Sequence, residues 1–251
     1  MKTIAISGKG GTGKTTLAAL IVRLLRERGA GSVLAVDGDP NVNLNDLLGV
    51  DLDDTIGAIR EVMREKGGAD LPGGMSKQQF LEYKIQSSVV EAEGFDLLAM
   101  GRPEGPGCYC YANNLLRDIL KSLSANYSYV VIDNEAGMEH LSRRTVQLID
   151  HLLIVSDPTL RGIRAAGRIS RLLHELDTRV QHRGLILNRG RGPIPDGLEK
   201  AIQDEGLELL HIVPWDEALL ELDQGEDSIF SLPEDTPSCQ AVDRLLDALV
   251  A

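Results

Sequence analysis

The feature that most constrains the fold is a glycine-rich loop near the N-terminus. Residues 8–15 read G-K-G-G-T-G-K-T and match the phosphate-binding pattern G-x-x-x-x-G-K-[ST]. Glycines allow successive backbone N–H groups to turn toward one anion, in dihedral angles that a Cβ atom would obstruct. An apolar segment precedes the loop, and apolar residues at helical spacing (Leu17, Leu20, Ile21) follow it. This order of strand, loop and helix predicts a nucleotide-binding α/β fold.

Two side chains of the loop carry the expected phosphate chemistry. Lys14 supplies a point charge for the β- and γ-phosphates, and the Thr15 hydroxyl is a ligand for Mg²⁺. The amino end of the following helix directs its dipole at the same anion. The predicted nucleotide-binding residues of the loop are Gly8, Lys9, Gly10, Gly11, Thr12, Gly13, Lys14, Thr15 and Thr16.

Apolar strands alternate with helical patterns along the chain, which is typical of a parallel sheet covered on both faces. Strands are predicted at about residues 2–7, 32–37, 95–100, 128–133, 151–156, 183–188 and 207–213. Helices are predicted at 55–66 and 111–126, and Ser76 with Gln79 forms a capping box before another. No linker or change of composition divides the chain. We therefore predict one doubly wound α/β domain over residues 1–251, with a mostly parallel sheet of about seven to eight strands.

Composition limits the class of protein. The 251 residues are 43% hydrophobic, and no run of about 18 apolar residues suggests a membrane span. The first predicted strand begins within three residues of the N-terminus, so we expect no signal peptide. Three cysteines cannot build a disulfide framework. These features together predict a cytoplasmic protein.

The charge argues against nucleic-acid and membrane partners. The chain has 38 acidic and 26 basic residues, a formal net charge of −12, and residues 216–235 contain eight acidic residues and no basic one. The helical pattern at 240–251 carries only Arg244 against Asp243 and Asp247, unlike the basic amphipathic helix of a membrane anchor. We predict no nucleic-acid partner and no membrane partner.

A second lysine indicates a particular class of P-loop. With Lys9 the loop reads K-G-G-T-G-K-T-T, which resembles the deviant P-loop of the MinD/ParA/nitrogenase-iron-protein class of ATPases. The resemblance implies ATP as the nucleotide, a homodimer, and a Lys9 side chain that reaches the partner's nucleotide. A lone lysine in a glycine loop is otherwise a solvated charge.

The second predicted strand ends in the segment D-G-D-P, with Asp37 and Asp39. Aspartate, glycine and proline favour turns, so the segment alone could be a turn. In the class that this chain resembles, it corresponds to the first switch. The resemblance implies that Asp39 orients or deprotonates the attacking water, and that Asp37 serves either a water-mediated Mg²⁺ contact or the loop structure. The predicted catalytic residues are Lys9, Lys14 and Asp39.

The apolar strand that ends at Asp133 matches the Walker B pattern followed by a second switch, D-x-x-x-G. The resemblance implies that Asp133 holds Mg²⁺ through water and that the Gly137 N–H senses the γ-phosphate. Glu135, Glu139 and His140 follow closely and invite a catalytic role. A lone histidine has more structural uses than catalytic ones, so we expect His140 to have a structural or switch-coupling role.

A loop rich in glycine and proline leads to Cys108-Tyr109-Cys110. Cysteines are often small buried hydrophobes, but such a loop is a poor place for core packing. Cys108 and Cys110 offer two soft thiolates, whereas a closed Zn²⁺ site needs four ligands. A two-fold dimer supplies four, with the metal on the axis.

The P-loop, D-G-D-P, C-Y-C and E-A-G-M-E-H together resemble the CooC-type ATPases, over essentially the whole chain. The resemblance implies an ATP-dependent metallochaperone-type enzyme with Ni²⁺ or Zn²⁺ shared between two chains, and carbon monoxide dehydrogenase as the client nickel enzyme. Two other functions stay open: a positioning ATPase like MinD or ParA, and an iron–sulfur reductase component.

Two strand ends supply predicted contacts to the base. One predicted strand ends at Asn188-Arg189 and another runs into Pro214. Taken alone, these are a polar strand end and a proline turn. The resemblance implies that Asn188 hydrogen-bonds the adenine and that the backbone around Pro214 closes the base pocket, and we include Arg189 in this nucleotide-binding set. Cys239 is isolated and is expected to pack or to lie on the surface.

Overall fold

The structure is a computed structural model of the chain. It describes residues 1–59, 74–102, 126–134, 148–174, 179–225 and 227–250. Several predictions lie outside these ranges: those for Cys108, Cys110, Glu135, Gly137, Glu139 and His140, and nearly all of the helix at 111–126.

Eight strands form one sheet in the order β3-β4-β2-β5-β1-β6-β7-β8. The strands are β1 (Lys2–Gly8), β2 (Val33–Asp37), β3 (Val90–Ala92), β4 (Phe95–Ala99), β5 (Tyr129–Asp133), β6 (Leu148–Ser156), β7 (Arg179–Gly190) and β8 (Leu209–Pro214). All neighbours pair in parallel except β3 and β4, which are antiparallel. This arrangement confirms the predicted doubly wound, mostly parallel α/β fold.

The strand β3 was not predicted from the sequence. It has three residues, its central Glu91 is exposed, and Gly94 with φ of 83° turns the chain back into β4. Such a short segment with a charged centre gives no apolar run from which to recognise a strand. The strand β6 also begins earlier than the predicted residue 151, because Leu148, Ile149 and Asp150 belong to it.

Helices cover both faces of the sheet. They are α1 (Lys14–Glu27), α2 (Leu44–Leu48), α3 (Lys77–Gln86), α4 (Leu160–His174), α5 (Asp196–Asp204), α6 (Glu217–Gln224) and α7 (Pro237–Val250), with a 3₁₀ turn at Ile229–Ser231. Because side chains of a strand alternate, Ile4 and Ile6 of β1 join a core with α1, α2, α6 and α7, while Ala5 joins a second core with α4 and α5.

Local signals in the sequence explain where two helices begin. The predicted capping box is confirmed: the Ser76 N–H donates to Gln79 Oε1 at 2.9 Å, and the Gln79 N–H donates to Ser76 Oγ at 3.2 Å. The Thr55 hydroxyl accepts from the Ala58 N–H at 3.2 Å, and residues 56–59 are helical, as predicted for the start of that helix.

The helix α7 uses its apolar side for the core. Val242, Leu245, Leu246 and Leu249 are all buried against the α1 face of the sheet. Within the described ranges, none of the helices is long and apolar enough to cross a membrane.

The sheet brings the predicted site residues to one edge. The strand β5 lies between β2 and β1, and Asp133 is in register with Asp37 on one side and Ile6 on the other. The loop after β1 therefore starts beside both aspartates. This is the carboxyl edge of the parallel strands, where ligands bind in open α/β sheets.

Candidate nucleotide-binding site

The glycine-rich loop joins β1 to α1 and leaves the amino end of α1 open to a ligand. Gly13 is the N-cap of α1 with φ of 87°, and no side chain caps the helix. The first turn contains no acidic residue. Its backbone N–H groups and its dipole are thus free to bind an anion. Within the loop, the Thr12 hydroxyl donates to the Lys9 carbonyl at 2.8 Å and holds the turn together.

Asn188, at the end of β7, packs on this loop. Its Nδ2 donates to the Thr12 carbonyl at 2.8 Å, and a Cβ added to Gly13 would lie 2.3 Å from the same nitrogen. Any other residue at this position would therefore displace the Asn188 amide. The Asn188 Oδ1 accepts from the Arg189 N–H at 2.9 Å, so each end of the amide keeps one hydrogen-bonding position for a ligand. The predicted bond to adenine stays a prediction.

A cavity of about 150 Å³ lies beside the loop. It brings together the three residues predicted for the base, Asn188, Arg189 and Pro214, with the loop residues Gly13 and Thr16. Its other walls were missed from the sequence: they are Trp215, Asp216, Leu219, Leu220 and Asp223. A signal was present for Asp216 alone, because an aspartate that precedes a helical pattern is an N-cap signature.

Asp216 connects two elements around this cavity. One carboxylate oxygen accepts from the Ala218 N–H at 3.1 Å and caps α6. The other accepts from the backbone N–H of Ser238 at 2.9 Å and from its hydroxyl, at the start of α7. The wall of the cavity is therefore fixed to the C-terminal helix by a single buried side chain.

Asp133 lies at the centre of the site. It is 2% exposed, and its Oδ1 has no hydrogen-bond partner among the described residues. Burial raises the pKa of Asp133 to about 7; the charges of Asp37 and Asp39 add to this, whereas the Thr15 hydroxyl bond and Lys14 oppose it. A buried carboxylate with an unused oxygen beside a threonine hydroxyl suits a hard cation such as Mg²⁺. The residues present therefore fit the ion.

Asp37 is fully buried and holds the first switch segment. Its Oδ1 accepts from the Asp39 N–H at 2.9 Å, and its Oδ2 accepts from the N–H groups of Asn43 and Leu44, both at 2.9 Å. Burial raises the pKa of Asp37, while these backbone donors lower it. Of the two predicted uses, the loop role is seen directly, and the contact to Mg²⁺ through water stays a prediction.

Asp39 is half-buried and follows Asp37 by two residues. Its Oδ1 accepts from the backbone and side-chain nitrogens of Asn41, at 2.8 and 3.1 Å. These bonds leave the second carboxylate oxygen for other contacts. The charge of Asp39 also raises the pKa of Asp133, so the two carboxylates share one electrostatic environment. The predicted action on water stays a prediction.

The two loop lysines lie in different surroundings. Lys14 is 8% exposed, and its charge lowers the pKa of Asp133, so the two side chains are electrostatically coupled. Lys9 is exposed and lines a different cavity, against helix α4. The predicted contact of Lys9 with a partner's nucleotide stays a prediction.

Comparison with known proteins identifies the family of the chain. Residues 3–229 match the family model described as the CobQ/CobB/MinD/ParA nucleotide binding domain. The chain belongs to this family. The match includes all of the loop, the first switch, Asp133 and the strand ends at Asn188 and Pro214. As a CobQ/CobB/MinD/ParA protein, the chain is an ATP-binding P-loop ATPase.

Family relatives match the chain almost from end to end. An uncharacterized ATP-binding protein of Methanocaldococcus jannaschii is 38% identical over 248 residues, which cover 98% of this chain and 98% of that protein. The carbon monoxide dehydrogenase accessory protein CooC of Rhodospirillum rubrum is 32% identical over 251 residues, covering 94% and 91%. Among solved structures, the septum site-determining protein MinD of Pyrococcus horikoshii, complexed with Mg-ADP, has a TM-score of 0.71 at 25% identity, covering 99% and 95%.

Proposed function

We propose that this ATPase is a metal-delivery switch for a nickel enzyme, with carbon monoxide dehydrogenase as the client. One observation carries the proposal: a chain with the tripeptide Cys108-Tyr109-Cys110 is 32% identical, over nearly its whole length, to the accessory protein CooC. The described site supports the ATPase half of the proposal, and the cysteines supply the metal half.

The nucleotide half follows from the geometry of the loop. The open amino end of α1, the loop glycines and Lys14 bind the phosphates, and the cavity next to Asn188 and Pro214 takes the adenine. Thr15 and Asp133 would hold Mg²⁺, Asp133 through water. When bound, the ion neutralises charge on the β- and γ-phosphate oxygens. The unused, buried Oδ1 of Asp133 supports this assignment.

Hydrolysis needs a positioned water and a second chain. Asp39 keeps one carboxylate oxygen outside its bonds to Asn41 and orients the water that attacks the γ-phosphate. Lys9, exposed on the outer side of the loop, reaches the nucleotide of a second copy. ATP thereby holds two chains together, and hydrolysis releases them.

The metal half uses the symmetry of that dimer. Each chain contributes the thiolates of Cys108 and Cys110, so two chains form a Cys₄ site for Ni²⁺ or Zn²⁺. Dimerisation on ATP completes the site, and hydrolysis opens it and transfers the ion to the client. The metal is cargo, and the cysteines are its ligands.

Metal content of the dimer tests the proposal. Wild-type protein with ATP and either ion should bind about one metal per two chains, and Cys108→Ser or Cys110→Ser should remove most of it, because each change takes two of four ligands. The matched control is Cys239→Ala: Cys239 is 1% exposed within the α1-side core and cannot reach a metal at a dimer face. A Cys108/Cys110 double variant that keeps its metal would contradict the cargo site.

The same measurement separates the alternatives. A positioning ATPase is favoured by the full-length likeness to a MinD structure, and it predicts an ATP-bound dimer without metal. An iron–sulfur reductase component predicts visible absorbance from a cluster. Both alternative functions also require ATP hydrolysis, so a measurement of ATP hydrolysis alone does not distinguish the three functions.

A further inference from the structure

Four cationic side chains line one cavity beside the phosphate-binding loop. The cavity has a volume of about 320 Å³, and its described lining is Lys9, Arg161, Arg164, Ala165 and Arg168. No carboxylate belongs to this described lining. In a chain with a formal net charge of −12, such a concentration of positive charge is unexpected. We call these four cations the basic patch.

The helix α4 presents its arginines on one side. Ile163, Ala166 and Ile169 are buried in the second core, while Arg161, Arg164 and Arg168 are exposed. The arginines are three and four residues apart, which places them above one another on the outer side of the helix. Ala165 lies between them and is buried, so its small side chain leaves the surface concave.

The arrangement is electrostatically unfavourable without an anion. Like charges three and four residues apart on a helix destabilise it. Arg161 and Arg164 also lie in the first turns of α4, where the helix dipole disfavours cations, and the first turn holds no acidic residue. None of the three arginines forms an ion pair with a carboxylate of the described chain, although Arg171, further along α4, pairs with Glu205 at 2.6 Å.

We propose that the basic patch is a docking surface for an acidic peptide segment of a partner protein. Guanidinium groups bind carboxylates through two parallel hydrogen bonds, and an acidic segment would relieve the repulsion within α4. The concave shape suits a few side chains. Nucleic acid is disfavoured because its binding relies on many phosphate contacts, whereas the described lining offers four cations around one cavity.

The position of Lys9 connects this surface to the nucleotide. Lys9 belongs both to the phosphate-binding loop and to the basic patch. In the proposed dimer Lys9 reaches the partner's nucleotide, so a carboxylate that pairs with Lys9 competes with that contact. The inference goes beyond the proposed function, since an acidic partner can act on the switch whatever cargo the cysteines carry.

Binding of a labelled deca-glutamate peptide, followed by fluorescence anisotropy at low salt without nucleotide, tests the proposal. The variant Arg164→Ala/Arg168→Ala should bind the peptide about five- to tenfold more weakly, because it loses two exposed charge pairs with the peptide. The matched control is Arg171→Ala/Arg179→Ala, which removes two exposed arginines outside the cavity and changes the net charge equally. This control should change affinity less than about twofold.

Three kinds of result would overturn the proposal. The first is a failure in the peptide experiment: either the wild-type chain does not bind the peptide, or both double variants weaken binding equally. The second is tighter binding of a short DNA duplex through the same arginines, which would make the patch a nucleic-acid surface. The third is loss of ATP-dependent dimerisation by the Arg164→Ala/Arg168→Ala variant in sedimentation, which would make it a contact between two copies. Thermal melting of each variant confirms that it is folded.

Discussion

The packing of Gly13 against Asn188 gives a prediction whose size follows from the structure. Gly11 and Gly13 both have positive φ, of 78° and 87°. Alanine in this region costs about 1–2 kcal/mol. A Cβ on Gly11 meets no described atom within 4 Å, whereas one on Gly13 lies 2.3 Å from Asn188 Nδ2. Asn188 must then move and lose its bond to Thr12, which costs a further ~1 kcal/mol.

We therefore expect Gly11→Ala to lower the free energy of unfolding by about 1–2 kcal/mol, and Gly13→Ala by about 2–3 kcal/mol. Urea unfolding without nucleotide measures both, so that loss of ligand binding does not enter the comparison. Gly11→Ala is the matched control, because it carries the backbone cost without the contact.

A double-mutant cycle isolates the contact itself. In an Asn188→Ala background the added Cβ meets no amide, so Gly13→Ala should cost only as much as Gly11→Ala. The reasoning is wrong if the two alanine variants cost the same in the wild-type background. It is also wrong if the extra cost of Gly13→Ala persists after Asn188 is removed.

Three other predictions concern charged residues of the site. Lys14→Ala should abolish ATP binding in isothermal titration, whereas Lys9→Ala should bind ATP almost normally but lose dimer-dependent hydrolysis; equal binding losses would contradict this. Asp39→Asn should accumulate an ATP-bound dimer in sedimentation, and near-normal turnover would remove Asp39 from the mechanism. The folded-state pKa of Asp133, about 7, exceeds its ordinary value of 3.8, so the contribution of this carboxyl group to wild-type stability should fall as the pH rises between these values. We compare the free energy of unfolding of Asp133→Asn with that of the wild type, both in EDTA. The variant's value should rise relative to the wild type by about 2–3 kcal/mol from pH 5 to pH 8, and a difference that does not change with pH would refute the burial argument.

The sequence predicted structural features well where the residues that form them are close together along the chain. The loop, the strand that ends at Asp133 and the capping box of Ser76 and Gln79 each involve residues a few positions apart, so spacing alone identifies them. The parallel sheet followed from the alternation of apolar strands and helices.

Contacts between distant segments were harder to predict. The hydrogen bond from Asn188 to the Thr12 carbonyl joins residues 176 positions apart, and it forms because β7 ends beside the loop. The basic patch was missed for the same reason: Arg161, Arg164 and Arg168 look like an ordinary solvated helix side until Lys9 is placed next to them. Asp37 shows a second reason why prediction is limited. The sequence motif identifies the carboxylate, but it does not reveal that three backbone N–H groups already donate hydrogen bonds to it.

The hydrogen bonds of Asp216 couple the cavity wall to the start of α7. Since one carboxylate caps α6 and also holds Ser238, the cavity wall and the start of α7 cannot be displaced independently. A force or a partner that draws α7 away from the sheet must then change the affinity of the cavity for its occupant. By thermodynamic reciprocity, a partner that changes the affinity of the cavity in this way must itself bind with an affinity changed by the same factor when the cavity is occupied. Asp216 thus couples the start of the C-terminal helix to the state of the cavity.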